Sequence, residues 1–411
     1  MTTTESLTSE TKEPGYTGQT FLVGERVYLR PLVEADAAFA MSWRQTLFPQ
    51  SKERTEEWLK DEVGKSNPWA GPLQLAIVRK ADDRIVGSIE VQVHGLTHLV
   101  SAKVDRLLGE TGQAMRGEAM LLATDWLINE RGQAIVHTDV DAGDETYLEA
   151  LLAGGFRESA RFREMYLHEG TRTDRLVLDY LGPKWVANLG DPHETELPRT
   201  GSGEARPVPP RVEVSEQDLP KNAVMVGERV YLRAEQPSDA VRAALLTRQE
   251  TETFFDIGRH LTAQTQFEHW IKSHEKKTPP DWITFAVCLR ENDLTIGWVG
   301  LLDVDYQHSY AESGSFFGDV AYRGSGYGSE AKQLLLEYAF DRLGLHMLQS
   351  WVYFANTRSA AALRKQGYRE AGRVNWLYTQ DGNLGNMVVF DLLAEEWRAM
   401  PREAWKHPDK G

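Results

Sequence analysis

The sequence repeats itself, and this repeat constrains the fold more than any other feature. The heptapeptide GERVYLR occurs at residues 24–30 and again at residues 227–233. Further along, LLAGGFRESARFREMYL from Leu151 corresponds to LRKQGYREAGRVNWLYT from Leu363. Self-similarity over this length indicates a duplicated domain. We therefore expect two related domains in the 411 residues, which is an ordinary size for each.

The repeat sets the predicted domain boundaries. The first copy spans residues 19–185 and the second spans residues 223–400. Between them, residues 186–222 are rich in Pro, Gly, Ser and charge and lack periodicity, which is typical of a semi-stiff linker. Residues 1–18 are predicted to be a disordered tail, and residues 401–411 a second tail.

Within each copy, strand and helix patterns alternate. In the second copy, ITFAVCLR and TIGWVGLLDVD have the apolar character of strands, whereas residues 329–343 place apolar side chains at helical spacing. This order predicts an α/β (α+β) fold in which helices flank a mixed central sheet.

Composition excludes several classes of function. The net charge of −15 argues against nucleic acid as a partner and is compatible with a cationic substrate. The single cysteine, Cys288, lies in the apolar run TFAVCLR, which favours a buried thiol over a nucleophile. The 11 histidines show no ligand spacing, so we predict no metal site.

The chain has no apolar run long enough to cross a bilayer, and its first residues lack the features of a secretory signal. The sequence therefore predicts a cytoplasmic protein without a membrane partner.

A glycine-rich motif in the second copy suggests chemistry. It follows a predicted strand, precedes a predicted helix, and consists of Arg323, Gly324, Ser325, Gly326, Tyr327 and Gly328. Glycines allow backbone N–H groups to approach a diphosphate, and a helix N-terminus adds partial positive charge. The alternative is a turn that only begins a helix. No Gly-Lys-Ser/Thr follows, which excludes a Walker loop, and the position in the middle of the copy disfavours a dinucleotide fingerprint.

A second motif makes the resemblance specific. The segment NTRSAAALRKQGY begins at Asn356 and follows the glycine motif by about one helix and one strand. Together the two motifs resemble the acetyl-CoA motifs of GCN5-related N-acetyltransferases (GNAT). VYLRAEQPSDA and MVVFDLLAEEW are similar to the branch that acetylates the N-termini of ribosomal proteins, which also contains many small-molecule amine acetyltransferases. The resemblance covers nearly all of residues 223–400.

The resemblance implies a fold in which two parallel strands splay apart and hold the pantetheine arm between them. Backbone groups of the motif, from Arg323 to Ser329, would bind the pyrophosphate. Asn356 would contact the pantetheine region or serve as a helix N-cap, a position that Asn often occupies.

The reaction requires an unprotonated amine, so a base or a water relay assists it. Glu312 resembles a frequent acid of this branch and is the predicted base; the alternative is a solvated or salt-bridged glutamate. Asp303 and Asp305 are predicted to line the amine pocket, and either is the next candidate for the base.

The departing thiolate needs a proton. Many family members carry a Tyr seven residues after the motif Asn, but this chain has Leu363 there. Ser359 or Tyr378 is therefore the predicted acid. Tyr378 has a counterpart, Tyr166, in the first copy, which favours a structural role for that pair.

The first copy departs from the motifs when Gly117 is aligned with Gly326. The aligned pairs are Ala114 with Arg323, Ala119 with Gly328, Lys103 with Glu312, Asp144 with Asn356 and Tyr147 with Ser359. A lysine replaces the base, and Asp144 adds negative charge near a polyanionic cofactor. We therefore expect a catalytically degenerate first copy, although the small residues leave cofactor binding open.

The sequence thus predicts an acetyl-CoA-dependent N-acetyltransferase that acts by direct attack in a ternary complex. The predicted acceptor is a small-molecule primary amine or a protein N-terminus. The alternatives are a non-catalytic tandem module that binds acetyl-CoA or a metabolite, and a transferase for a longer acyl or an aminoacyl donor. The sequence favours no particular oligomeric state.

Overall fold

The computed structural model describes residues 20–44, 50–63, 73–94, 96–195, 203–249, 263–274 and 278–407. It divides into two compact units. The first comprises Met1–Glu158 and Val177–Asp191, and the second comprises Ser159–Leu176 and Pro192–Gly411. The second unit therefore includes a segment that belongs to the first repeat. The predicted tail 1–18 and residues 408–411 lie outside the described residues.

The first unit begins with two short strands and continues with alternating strands and helices. Its elements are β1 (Leu22–Val23), β2 (Val27–Pro31), α1 (Ala40–Trp43), α2 (Lys52–Trp58), β3 (Leu73–Arg79), β4 (Arg84–His94), β5 (Thr97–Val104), α3 (Gly109–Asp125), β6 (Ile135–Asp141) and α4 (Glu145–Ala153). Along the chain the hairpin strands β7 (Arg157–His168) and β8 (Thr171–Leu181) follow, of which residues Ser159–Leu176 belong to the second unit, and then α5 (Pro183–Leu189). Strands β1 to β6 are hydrogen-bonded neighbours in chain order, and β5 and β6 pair in parallel.

The second unit has the same succession of elements. They are β9 (Ala223–Val226), β10 (Val230–Ala234), α6 (Ala240–Gln249), α7 (Gln264–His274), β11 (Ile283–Leu289), β12 (Thr295–Asp305), β13 (Tyr310–Phe316), α8 (Tyr327–Glu337), β14 (Met347–Tyr353), α9 (Thr357–Lys365), β15 (Arg369–Gln380), β16 (Asn383–Leu393) and α10 (Ala394–Ala399). The strand order is β7-β15-β16-β14-β13-β12-β11-β10-β9, and β13 and β14 pair in parallel. The predicted mixed α/β fold is confirmed.

The repeated heptapeptide performs the same structural task in both units. Arg30 forms an ion pair of 2.7 Å with Asp36, and Arg233 forms one of 2.7 Å with Asp239. In each case the arginine, at the end of a strand, fastens the turn that leads to the next helix. The repeat therefore preserves a structural contact.

The main core of the second unit lies between the sheet and helices α8 and α9. Leu335, Phe340, Phe390 and Trp397 are almost completely buried there. A smaller cluster, with Leu246 of α6, packs on the opposite face of the sheet. Burial of these aromatic and aliphatic side chains is the main favourable term in folding.

The predicted linker differs from expectation at one point. Val208 is 2% exposed and belongs to the main core of the second unit. Its backbone N–H donates to Pro401 at 2.7 Å, and the indole of Trp405 donates to the carbonyl of Pro207. Thus one apolar residue anchors a segment whose average composition suggested no core contact, and it does so beside the predicted C-terminal tail. The domain boundaries remain a prediction.

None of the helices in the described part of the chain combines the length and apolar character needed to span a bilayer.

Candidate active site

A glycine-rich turn leads into helix α8. Gly324 and Gly326 have φ angles of 77° and 88°, which glycine adopts without steric cost. Gly326 is the N-cap residue of α8. Because glycine has no side chain to cap the helix, the N–H groups of the first turn remain available to an anionic ligand.

Two arginines hold this turn from behind. Arg323 donates through Nε to the carbonyl of Phe317 at 2.8 Å, so its side chain shapes the loop. Arg229 donates through Nη1 to the carbonyl of Ser325 at 3.0 Å and forms an ion pair with Glu330 at 3.0 Å. The repeated heptapeptide therefore supports the loop directly.

The space behind Gly326 is filled. A Cβ atom at this position would lie 2.9 Å from Nδ1 of His407 and 3.2 Å from Nη2 of Arg229. Arg229 donates to that His407 nitrogen at 2.7 Å. Residue 326 must therefore be glycine for two reasons, its φ angle and this close approach. The remaining motif residues, Tyr327, Gly328 and Ser329, form the first turn of α8 and are half-buried.

The parallel strands β13 and β14 separate beside this helix. Their ladder contains three residue pairs and ends with Glu312 opposite Gln349. Beyond it, Ser350 Oγ donates to the carbonyl of Ser313 at 2.9 Å, and the Ser313 hydroxyl lies 2.7 Å from that of Tyr368. The splayed strands implied by the resemblance are thus present, and Glu312 lies where they diverge.

Asn356 is the N-cap residue of α9. Its Oδ1 accepts a hydrogen bond from the backbone N–H of Ser359 at 3.2 Å. The N-cap interpretation therefore describes its observed contact, and a ligand role for Asn356 remains a prediction. Ser359 lies half-buried in the first turn of α9.

Glu312 is a half-buried carboxyl group in a mixed electrostatic environment. Burial, and then repulsion by Asp303, raise its pKa to about 7, while Lys332 and Arg175 act in the opposite direction. Near neutral pH, such a group can both accept and release a proton.

Lys332 is a site residue that the sequence did not reveal. It lies in α8 and is 3% exposed. Burial lowers its pKa to about 7 against the favourable charge of Glu312. Since each group acts on the other, they titrate as a coupled pair. The only signal in the sequence is one lysine within the apolar stretch 331–336.

Two tyrosines form an aromatic wall near Glu312. The rings of Tyr353 and Tyr378 meet edge to face at 4.7 Å. Burial, followed by the charges of Tyr378 and Glu312, raises the pKa of Tyr353 to about 12. The structure therefore brings the predicted Tyr378 together with Tyr353, which the sequence analysis missed.

The two predicted acceptor-pocket aspartates have different surroundings. Asp303 is exposed at a bulge of β12, has a φ angle of 50°, and acts electrostatically on Glu312. Asp305 accepts a hydrogen bond of 2.8 Å from the backbone N–H of His308 and so closes the turn after β12. The local contact of Asp305 is structural, and the acceptor role of both residues remains a prediction.

Strand register corrects the sequence alignment of the two copies. The parallel pair Leu99–His137 in the first unit occupies the place of Glu312–Gln349 in the second. Leu99, and not Lys103, is therefore the counterpart of Glu312. The alignment slipped because the loops between matching blocks differ in length.

The helices shift in the same way. Glu118 accepts a hydrogen bond from the Arg26 backbone as Glu330 does from the Arg229 backbone. The counterparts are therefore Ala114 for Gly326, Arg116 for Gly328 and Met120 for Lys332. Because α3 already begins at Gly109, the positions that match the loop lie inside a helix, where N–H groups bond internally.

The first unit also fills the space beside that helix. Arg116 forms an ion pair with Asp144 at 2.7 Å and lies over the ring of Tyr147 at 3.8 Å. A Cβ atom at Gly117 would lie 2.8 Å from Cβ of Ala150, so α3 and α4 touch. The retained small residues Gly117 and Ala119 therefore serve helix packing, and these positions do not fit a diphosphate.

Comparison with known families agrees with the site in the second unit. Residues 229–369 match the family model described as an acetyltransferase (GNAT) domain. This segment of the chain is therefore similar to a GNAT domain. The match covers both motifs of the second copy, because it begins at Arg229 of the heptapeptide and ends just after the Asn356 segment.

Three proteins that are similar to part of this chain carry acetyltransferase names. The N-acetyltransferase p20 of Bacillus licheniformis, described as uncharacterized, is 30% identical over 28% of this chain and 63% of its own length. YnaD of Bacillus subtilis, with the same description, is 31% identical over 28% of this chain and 65% of its own length. The chain thus covers less than two thirds of these two relatives. The probable N-acetyltransferase YjcK of Bacillus subtilis is 25% identical over 36% of this chain and 85% of its own length.

Solved structures with a similar chain trace include spermidine N-acetyltransferase SpeG from Vibrio cholerae in complex with CoA and spermine. It is 19% identical, covers 42% of this chain and 99% of its own, and has a TM-score of 0.38. A probable acetyltransferase is 22% identical over 43% of this chain and 98% of its own, with a TM-score of 0.39. Similarity at this level assigns no ligand.

Within the described residues, no group of three or more His, Cys, Asp or Glu side chains has the arrangement of a metal site.

Proposed function

We propose that the second unit transfers an acetyl group from acetyl-CoA to a primary amine by direct attack in a ternary complex. The observation that carries the proposal is the glycine turn at the N-terminus of α8, next to strands that separate at a half-buried carboxyl group. The GNAT match of residues 229–369 supports it.

The residues present fit acetyl-CoA. The turn at Gly324 and Gly326 offers backbone N–H groups and the positive end of α8 to a pyrophosphate. At the place of Gly328 the first unit has Arg116, which fills the corresponding space. Asn356 and Ser359 would line the pantetheine region between the splayed strands and α9. When bound, acetyl-CoA supplies the activated acyl group.

Glu312 would accept the proton that the amine loses. A carboxyl group whose pKa is about 7 is about half deprotonated at neutral pH. The positive charge of Lys332 offsets part of the negative charge of Glu312, so the carboxylate persists at this half-buried position. Tyr353 and Tyr378 would exclude water from this side, and Ser359 or Tyr378 would return a proton to the leaving thiolate.

The acceptor class follows from charge and from the resemblance. The acidic chain, with a net charge of −15, attracts amines. A small-molecule amine is the first candidate and a protein N-terminus the second.

The test has two parts. A thiol-release assay with acetyl-CoA is run against polyamines, aminoglycosides, amino acids and N-terminal peptides, and we expect release with at least one class. Calorimetry should give one acetyl-CoA site, and Gly326→Glu should abolish it, because the new carboxylate clashes with His407 and repels the pyrophosphate. Equal affinity of that variant would contradict the loop assignment.

The alternatives are outcomes of the same experiment. Acetyl-CoA binding without release against the whole panel would favour a non-catalytic binding module. Release only from a longer acyl thioester would favour a different donor. A second calorimetric site would contradict the expectation that the first unit, whose matching positions are helical, does not bind the cofactor.

A further inference from the structure

Part of the second unit comes from the first repeat. The hairpin segment Ser159–Leu176 is a member of this unit, and Ala160 of β7 pairs with Gly372 of β15. In the repeat of residues 223–400, no sequence signal announces this addition. The second unit is therefore larger than its own repeat.

Ion pairs fix the hairpin firmly. Arg163 contacts Asp391, which is 0% exposed, at 2.8 Å and Glu396 at 2.6 Å. Glu164 contacts Nε2 of His346 at 2.8 Å. Because a buried carboxylate needs a cationic partner, Arg163 gives the hairpin a defined position.

The hairpin delivers an arginine to the end of the β13–β14 ladder. Arg175 donates through Nη1 to Oε1 of Gln349 at 3.3 Å. Its guanidinium lies 5.4 Å from the ring centre of Phe162 and 5.9 Å from that of Trp351. Gln349 is the register partner of Glu312, and paired residues project to the same face of a sheet. Arg175 is thus held on the face that carries Glu312.

Four charged or titratable groups act on Glu312 or are acted on by it. They are Asp303 of β12, Lys332 of α8, Tyr353 of β14 and Arg175 of β8. Asp303 disfavours the carboxylate, whereas Lys332 and Arg175 favour it. Lys332 loses its charge near neutral pH, because burial lowers its pKa to about 7, but a guanidinium remains charged. Arg175 is the cation of this set that persists over the whole working range.

We propose that Arg175 is a positioning residue of the acyl-transfer site, which acts through Glu312, and that the hairpin from the first repeat thereby completes the site of the second unit. This inference rests on the proposed function for its catalytic meaning. Its electrostatic content is independent of acetyl-CoA.

The direct test is a 13C NMR titration of the glutamate carboxyl carbons in the full chain without acetyl-CoA. Glu312 is assigned by the signal lost in Glu312→Gln. Arg175→Gln should move the midpoint of Glu312 to higher pH, by up to about one unit, which is a tenfold change in proton affinity. Arg175→Lys keeps the positive charge and should leave the titration midpoint of Glu312 nearly unchanged.

The matched control is Arg161→Gln, on the same hairpin, where Arg161 pairs at 3.1 Å with Asp174. It should leave the Glu312 midpoint unchanged. Thermal unfolding checks each variant, and Arg175→Met, which keeps the apolar stem over the rings, replaces Arg175→Gln if that variant does not fold. An unchanged midpoint in a folded neutral variant would overturn the proposal.

With an acceptor identified, the acid limb of the kcat/KM profile should shift in the same direction in Arg175→Gln. In the Glu312→Gln background, Arg175→Gln should cause no further shift. A loss of activity that is equal at every pH would indicate a merely structural role and overturn the proposal. Absence of thiol release in the unmodified protein would instead contradict the proposed function and leave the titration result standing.

Discussion

The half-buried Glu312 and the buried Lys332, which act on each other electrostatically, can be replaced by the residues that the same fold uses in the first unit. Their counterparts, Leu99 and Met120, are apolar, and Met120 is completely buried. The double variant Glu312→Leu/Lys332→Met therefore tests whether the pair serves function at the expense of stability. Burying an ionisable group costs free energy, and no ion pair between Glu312 and Lys332 offsets that cost within the described residues, so the apolar double variant should be the more stable protein.

Glu312 and Lys332 change the free energy of unfolding with pH in opposite directions. Glu312 has its pKa raised from 4.5 to about 7, so the folded protein binds more protons between these values and its stability falls as pH rises through them. Lys332 has its pKa lowered from 10.5 to about 7, so stability rises with pH from about 7 upward. Each slope is at most about 1.4 kcal/mol per pH unit. Together they create a contribution that is least favourable near pH 7.

The free energy of unfolding is measured by urea unfolding at pH 5.5, 7 and 8.5. Hydrogen exchange of the α8 amides then reports the stability of the second unit separately. The difference in free energy of unfolding between the double variant and the unmodified protein should be largest near pH 7 and smaller on both sides. The double variant should bind acetyl-CoA but release no thiol. A double variant that is less stable near pH 7, or whose advantage does not vary with pH, would refute this reasoning.

Three further predictions concern single positions. Glu312→Gln should lower turnover by about a hundred- to ten-thousand-fold while acetyl-CoA binding is retained. Leu99→Gln, at the matching position of the first unit, should leave turnover unchanged. A fully active Glu312→Gln variant would indicate Asp303 as the base instead. Val208→Asp should lower the free energy of unfolding of the second unit by several kcal/mol, because it buries a charge in the core. Glu213→Ala on the same segment should have little effect. Equal effects of the two substitutions would mean that Val208 makes no core contact. Cys288 is fully buried, so the folded chain should not react with a thiol reagent until it is denatured; rapid reaction would contradict the burial and would spoil the thiol-release assay.

The sequence predicted the alternation of strands and helices and the glycine turn because both depend on local pattern. The apolar periodicity and the start of the helix after Gly326 depend only on residues that are close together in the sequence. The alignment of Lys103 with Glu312 failed because register is a property of paired strands, and a loop of different length moves it without changing the motif.

The charged surroundings of Glu312 were not predictable for a different reason. Lys332 belongs to a helix that follows the motif, and Arg175 belongs to a hairpin of the other repeat. Sequence separation hides such neighbours, since only tertiary packing brings them to the same carboxyl group. In the same way, Val208 stands in a polar segment whose composition conceals one core contact.

The two units differ most in where one helix begins, and this difference separates fold from chemistry. In the second unit α8 begins after Gly326, and the preceding residues form an open turn. In the first unit α3 begins at Gly109, so the same stretch is helical and Arg116 fills the adjoining space. In the first unit the N–H groups at these positions bond within α3, whereas in the second unit the N–H groups of the first turn of α8 have no intrahelical partner. The buried Lys332 and the half-buried Glu312 carry a cost in folding, and both occur in the second unit. We infer that proton transfer in the proposed reaction accounts for that cost, because the first unit keeps the fold with Leu99 and Met120 in these places.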